Sequence, residues 1–163
     1  MKINAFADVS LRALLVLSSA PAGELLTTQN IADAVGTPYH HVSKAIVRLR
    51  ELGLIDVERG RNGGSRISAA GQEATVGQLL RRLDTRSDPA ECQSAHGDCP
   101  MITECGLRVA LARAREAFYR ELDGVVVSSL PHLRQMTPVF QAIGLNPRLQ
   151  KPGPRSTNPF YNA

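Results

Sequence analysis

Residues 27–53, TTQNIADAVGTPYHHVSKAIVRLRELG, decide the fold. Residues 28–35 predict a short helix, capped by Thr27 or Thr28 and stopped by Gly36. Thr37 then caps a second helix with Pro38 at its first position, where the missing proline N–H leaves no bond unmade. That helix is expected to run to about Leu52 and to end at Gly53. Val42, Ala45, Ile46 and Leu49 recur at helical spacing and form its buried face. His40, Lys44 and Val47 form the opposite face, flanked by His41 and Arg48. Two short helices joined by a tight turn containing glycine make a helix–turn–helix.

The neighbouring segments extend this unit. Leu54–Glu58 has strand character, Arg59-Gly60-Arg61-Asn62-Gly63-Gly64 is a turn, and Ser65–Ser68 can return as a second strand. A hairpin directly after the second helix is a wing. Upstream, residues 5–19 read as a helix with Phe6, Val9, Ala13, Leu14 and Leu17 in one stripe. Leu11 and Leu15 lie in a second stripe beside Asp8 and Arg12, so this helix is expected to be covered on two sides. Thr75–Asp84 reads as a further helix. Residues 85–98 are polar and acidic and open a segment containing all three cysteines. From about Glu104 to Leu122 a long helix carries Leu107, Ala110, Leu111, Ala114, Ala117, Phe118 and Leu122 on one seam, which suits dimerisation. Six of the ten prolines fall after Leu130, so the tail is expected to be weakly ordered.

The expected fold is therefore mainly α with a small β-wing. A winged helix–turn–helix DNA-binding domain spans 1–84, a cysteine loop 85–106, a dimerisation helix 107–130 and a Pro-rich basic tail 131–163. No stretch is long enough to span a membrane. The segment that loosely imitates a signal peptide is broken by Asp8 and Arg12, and its apolar run Ala13–Leu17 is too short. A cytoplasmic location is expected.

Charge is sorted along the chain rather than merely positive. The net charge is +4, and Arg134, Arg148, Lys151 and Arg155 account for all of it. Residues 38–66 hold Lys44, Arg48, Arg50, Arg59, Arg61 and Arg66 against Glu51, Asp56 and Glu58. Residues 84–104 hold Arg86 against Asp84, Asp88, Glu91, Asp98 and Glu104. The first stretch can face a polyanion and the second cannot. Thr37, His40, His41 and Lys44 stand near the start of the second helix, where base edges are reached in the major groove, with Arg48 further along. Arg59, Arg61 and Asn62 stand at the wing tip, where paired glycines let the backbone approach phosphate or the minor groove. No nucleotide-binding glycine fingerprint and no Ser/His/Asp arrangement is evident, so no enzyme is expected.

The cysteines Cys92, Cys99 and Cys105 are spaced by six and five residues. An odd number in one short cluster argues against a disulfide framework and for thiolate chemistry. Structural zinc sites use tighter pairs, and wider gaps suit a loop wrapped around an iron–sulfur cluster. Zinc with His96 as the fourth ligand, or three unrelated cysteines, are the other readings of the spacing. A cluster needs a fourth ligand that is not a cysteine of this chain. Asp8 is either such a ligand or a partner of Arg12 one helical turn on.

Several stretches, in order, resemble the iron–sulfur winged-helix repressors. They are Phe6–Leu14 (FADVSLRAL), the wing Arg59–Gly64 (RGRNGG), and Cys105–Leu111 (CGLRVAL) with Ala117-Phe118 and Leu122-Asp123. The last resembles most the nitric-oxide-sensing branch of that family. The likeness covers roughly residues 1–130. It implies a homodimeric repressor on an inverted-repeat operator in double-stranded DNA. It also implies an iron–sulfur cluster on Cys92, Cys99 and Cys105, with 4Fe–4S preferred and 2Fe–2S the alternative. In one branch a histidine shortly after the last cysteine is a ligand. Gly106, Leu107 and Arg108 stand there instead, whereas Asp8 matches the position of a carboxylate ligand in the first helix. A carboxylate holds iron less firmly than a thiolate and would leave one iron open to a small molecule.

The functional expectation is loss of cluster ligation when nitric oxide attacks, a shift of the first helix and cysteine loop, and release of the operator. The first cysteine gap is one residue longer than the commonest family pattern, a feature shared with an iron-responsive branch. An iron, cluster-status or redox sensor of the same fold is therefore the alternative, followed by a winged-helix regulator with zinc or no metal.

Overall fold

The computed structural model of the protein describes residues 3–84, 99–100 and 104–148. Helix α1 (Ala5–Ser19) is the hub: it packs on both helices of the helix–turn–helix, on the wing and on later elements. Asn4 caps it, its side chain accepting from the Ala7 amide at 2.7 Å. Ala13 and Leu14 are wholly buried. Ser10, Ser18 and Ser19 are buried too, and each hydroxyl donates to a carbonyl one turn back, which makes burial of these polar groups tolerable. The expected second stripe is only partly covered, since Leu11 and Leu15 are half-buried.

Helix α2 (Thr28–Val35) opens with a capping box between Thr27 and Asn30. It closes at Gly36, whose φ of 64° is the left-handed conformation that glycine adopts without strain. Helix α3 (Tyr39–Glu51) buries Val42, Ala45, Ile46 and Leu49, as its spacing predicts. The junction differs from expectation. Pro38 is extended (ψ 139°) and precedes the helix, and no side chain caps α3. The Thr37 amide donates back to Ala32 at 3.1 Å. Thr37 therefore finishes α2 rather than starting α3, because the left-handed turn at Gly36 points its N–H at the open carbonyls of α2.

Strands β1 (Ile55–Glu58) and β2 (Gly64–Ile67) pair antiparallel, from Ile55 opposite Ile67 to Glu58 opposite Gly64. Leu26 and Ser65 exchange both backbone hydrogen bonds, at 3.0 and 2.8 Å, and so tie the wing to the segment before α2. The short helix α4 (Ala69–Glu73), capped by Ser68, has no counterpart in the sequence expectation. Helix α5 (Val76–Leu83) opens with a Thr75–Gln78 capping box. Among the described residues, no helix is long and apolar enough to cross a membrane.

Helix α6 (Gly106–Glu121) has two characters. Its second half lies on the body: Tyr119 is buried, and Phe118 and Leu122 pack against the core. Its first half projects, with Leu107 68 % and Val109 60 % exposed. Two 3-10 turns follow (Leu122–Gly124 and Val127–Ser129), and the chain between them bonds back to residues 74–76.

The expectation of a weakly ordered tail is corrected over residues 131–148. Helix α7 (Leu133–Ala142) packs on α2, with Phe140 and Met136 buried, and the Arg148 amide donates to the Ser19 carbonyl at 2.7 Å. Two large buried side chains four residues apart, with Val139 packed beside them, fasten this ten-residue helix to the body. The rest of the tail, 149–163, lies outside the described residues.

Candidate nucleic-acid interface and cysteine segment

The buried stripe of α3 fixes what the helix shows to solvent. Tyr39, His40, His41, Lys44 and Val47 are all exposed. The rings of His40 and His41 lie 4.0 Å apart, tilted by 41°. Thr37 is half-buried in the turn. Arg48 is placed differently from its neighbours. Its Nη1 pairs with Glu51 at 3.1 Å and its Nη2 donates to the Arg82 carbonyl at the end of α5, at 3.4 Å. The guanidinium thus closes the end of another helix.

At the wing tip Arg59, Arg61 and Asn62 are exposed. Arg66 is not part of that tip, because Asp56 and Glu58 neutralise it. Gly63 and Gly64 have an internal reason to be glycine. A Cβ at Gly63 would strike the Glu58 carbonyl, and one at Gly64 the Leu26 carbonyl. The wing is tight against its own backbone, and that closeness, rather than room for a ligand, demands glycine at both positions. Lys44, Arg59 and Arg61 have no ion-pair partner among the described residues, so their charge is available to an anion.

Cys99 and Cys105 are half-buried free thiols. Cys105 is the residue from which α6 starts, and its side chain makes no capping bond. The sulfur therefore stands at the N-terminal end of a sixteen-residue helix and takes no part in capping it. Cys92 and His96 lie outside the described residues. Among the described residues no group of three or more potential metal ligands converges. Asp8 forks onto Arg12, with Nε to Oδ1 at 3.0 Å and Nη2 to Oδ2 at 2.8 Å. Its side chain is 45 % exposed, so the carboxylate is reachable but committed to Arg12.

A joint that sequence reasoning missed links the two halves. Arg81 on α5 binds Asp123 in two hydrogen bonds and Glu116 on α6 at 2.8 Å, and it lies over the Tyr119 ring. Its hydrogen bonds to Asp123 and Glu116 raise the Arg81 pKa, while Arg81 holds both carboxyls below the ordinary carboxylate range. The Tyr119 hydroxyl donates to Asp84 at 2.5 Å. Asp84 is the last described residue before the cysteine segment, so both ends of that segment are fastened to α6. Local sequence spacing offered no signal for this joint, since Glu116 and Asp123 lie 35 and 42 residues from Arg81.

A helix–turn–helix with a two-stranded wing behind it, an exposed basic reading face and an N-terminal helix as hub define a winged-helix DNA-binding regulator. The family Rrf2, iron-dependent transcriptional regulator, matches residues 3–132. The chain belongs to the Rrf2 family of transcriptional regulators, and it is not an enzyme. It is 40 % identical over 131 residues to the HTH-type transcriptional repressor NsrR of Streptomyces coelicolor, covering 80 % of this chain and 88 % of that one. It is 36 % identical over 131 residues to the HTH-type transcriptional regulator NsrR of Geobacillus kaustophilus, covering 80 % and 89 %. The fold is similar to that of CymR, the global cysteine regulator of B. subtilis, with a TM-score of 0.58 at 21 % identity over 78 % of this chain and 93 % of that one.

Proposed function

We propose that this chain is a homodimeric repressor that senses nitric oxide through an iron–sulfur cluster held by Cys92, Cys99, Cys105 and Asp8, and that it releases its operator in response. The observation that carries this reading is Cys105. Its unused thiol opens α6, the same helix that Arg81 ties to the reading domain. The donor set fits: Cys99 and Cys105 are half-buried free thiols, and Asp8, 45 % exposed, becomes a ligand on giving up Arg12. The likeness to repressors named NsrR supports the choice of signal.

In this reading residues 85–106 hold the cluster, and α6 pairs with a second copy through exposed Leu107, Val109 and Leu111, the helix ending at Glu121 instead of running on to 130 as expected. Thr37, His40, His41 and Lys44 enter the major groove of an inverted repeat. Arg59, Arg61 and Asn62 follow phosphate or the minor groove at the wing, and Arg48 steadies α3 against α5. When bound, the cluster supplies iron that reacts with nitric oxide. The chain does the rest: Cys105 frees the start of α6, Asp8 returns to Arg12, the first helix and cysteine loop shift, and Arg81 passes the movement of α6 to α5. The two reading heads then no longer match the half-site spacing.

Iron and acid-labile sulfide in anaerobically purified protein test the ligand set. Cys92→Ser, Cys99→Ser and Cys105→Ser are each expected to lose both, and Asp8→Ala to keep a cluster with an altered absorption spectrum. Wild-type protein free of iron and sulfide would contradict the reading. The family's iron dependence favours, as a second reading, a sensor of iron or cluster status with the same ligands.

A further inference from the structure

The outward face of α3 carries one residue that electrostatics does not explain. Val47 is 55 % exposed. It lies two turns along from His40 and one turn from Lys44, in the middle of the face opposite the buried stripe of Val42, Ala45, Ile46 and Leu49. Valine is a weak helix former, so an exposed valine here serves neither the helix nor the core. Its neighbours one turn away are polar or charged: Ser43 and Lys44 on one side, Arg50 and Glu51 on the other. Lys44 and Arg50 are exposed cations, and Glu51 is turned to Arg48. The patch is thus a small apolar spot between two cations. The surface complementary to it presents phosphate at the margins and one apolar group in the middle. On the major-groove edges of base pairs the thymine methyl is the one apolar group.

We propose that Val47 is a specificity-determining residue that packs on a thymine methyl in each half-site of the bound DNA. This rests on the proposed reading role of α3. It assigns to that helix an apolar contact beside the polar ones of His40, His41 and Lys44. Lys44 then contributes affinity that is largely blind to sequence, whereas Val47 distinguishes A·T from the other pairs at one position.

The test uses the full chain, purified anaerobically, and duplexes selected by it from a randomised pool. In the selected site each thymine is replaced singly by deoxyuridine, which lacks only the methyl group. Wild type and Val47→Ala are titrated with every duplex, with Lys44→Ala alongside. The expected result is one thymine per half-site at which deoxyuridine weakens wild type by roughly three- to tenfold. Val47→Ala binds the thymine and deoxyuridine duplexes alike there and melts at the wild-type temperature. Lys44→Ala binds every duplex more weakly and keeps the deoxyuridine penalty. Equal deoxyuridine penalties in wild type and Val47→Ala, or no sensitive thymine, would overturn the assignment while leaving DNA reading intact. Failure of wild type to select or bind any duplex would overturn the DNA-reading role itself, and this inference with it.

Discussion

The guanidinium of Arg81 forks onto the carboxylate of Asp123, Nη1 to Oδ1 at 2.6 Å and Nη2 to Oδ2 at 2.8 Å. Planar, two-bond pairing of this kind fixes orientation as well as distance. It sets the end of α6 against α5, and Gly77 lets them meet, since a Cβ there would strike both Asp123 and the Tyr119 carbonyl. Arg81→Ala is expected to lower the melting temperature. Arg81→Lys should recover only part of the loss, because an ammonium cannot reproduce the fork.

The pH dependence follows from the same joint. Asp123 and Glu116 have lowered pKa values because Arg81 donates to both. A carboxylate lowered on folding stabilises above its unfolded pKa and loses that contribution as pH falls through the folded one. The melting-temperature gap between wild type and Arg81→Ala should be constant near neutrality and shrink from about pH 4 downward. The raised Arg81 pKa works at the far alkaline end and adds no change in that window. A gap that persists at pH 2 would show that packing on Tyr119, not charge, holds the joint.

Phe140 is wholly buried although it lies beyond the residues matched by the family. Phe140→Ala is expected to cost about 3–5 kcal/mol in denaturant unfolding. Truncation after Pro131 should be at least as damaging, since it removes α7 and the Arg148 bond to Ser19 together. An unchanged midpoint in both variants would mean that α7 is not a brace for α2.

Much of the reading unit was legible because its punctuation is local. Thr27 and Gly36 bracket α2, and four apolar residues at helical spacing declare the buried face of α3. The Thr37–Pro38 junction departs from the sequence pattern because the Thr37 N–H closes α2 on Ala32 and Pro38 takes the cap position of α3. Helix α7 was hidden by Pro138, which interrupts a helical pattern and disfavours helix at the residue before it. The structural bond of Arg48 had no local signal, because its partner, the Arg82 carbonyl, is 34 residues away. The i,i+4 spacing of Asp8 and Arg12 makes their ion pair legible in the sequence, and the structure forms it.

The glycines of the wing give a separable test. Gly63→Ala forces a Cβ against the Glu58 carbonyl at an exposed turn, whereas Gly71→Ala forces one against the Leu54 carbonyl at the one buried position of α4. Overpacking costs about 1–3 kcal/mol where the surroundings cannot give, as at Gly71, and less where an exposed turn can move aside. Gly63→Ala should distort the wing and weaken DNA binding with little change in melting temperature. Gly71→Ala should lower the melting temperature. Equal effects of the two on stability would show the wing to be part of the core rather than an appendage.

Salt dependence separates the cations. Lys44→Ala, Arg59→Ala and Arg61→Ala should each weaken binding of the dimer to duplex DNA and reduce the slope of log affinity against log salt by about 2, one contact per protomer. Arg48→Ala should leave the slope unchanged and act through stability, because its guanidinium is held by Glu51 and the Arg82 carbonyl. A slope change for Arg48→Ala as large as that for Lys44→Ala would place Arg48 on phosphate instead.

The most direct test of the central claim is a nitric oxide titration of anaerobically purified protein, with absorption and operator binding followed on the same sample. The account predicts a visible cluster band that collapses as nitric oxide is added, with DNA released in step. A cluster that ignores nitric oxide, or a colourless protein that holds its DNA throughout, would contradict it.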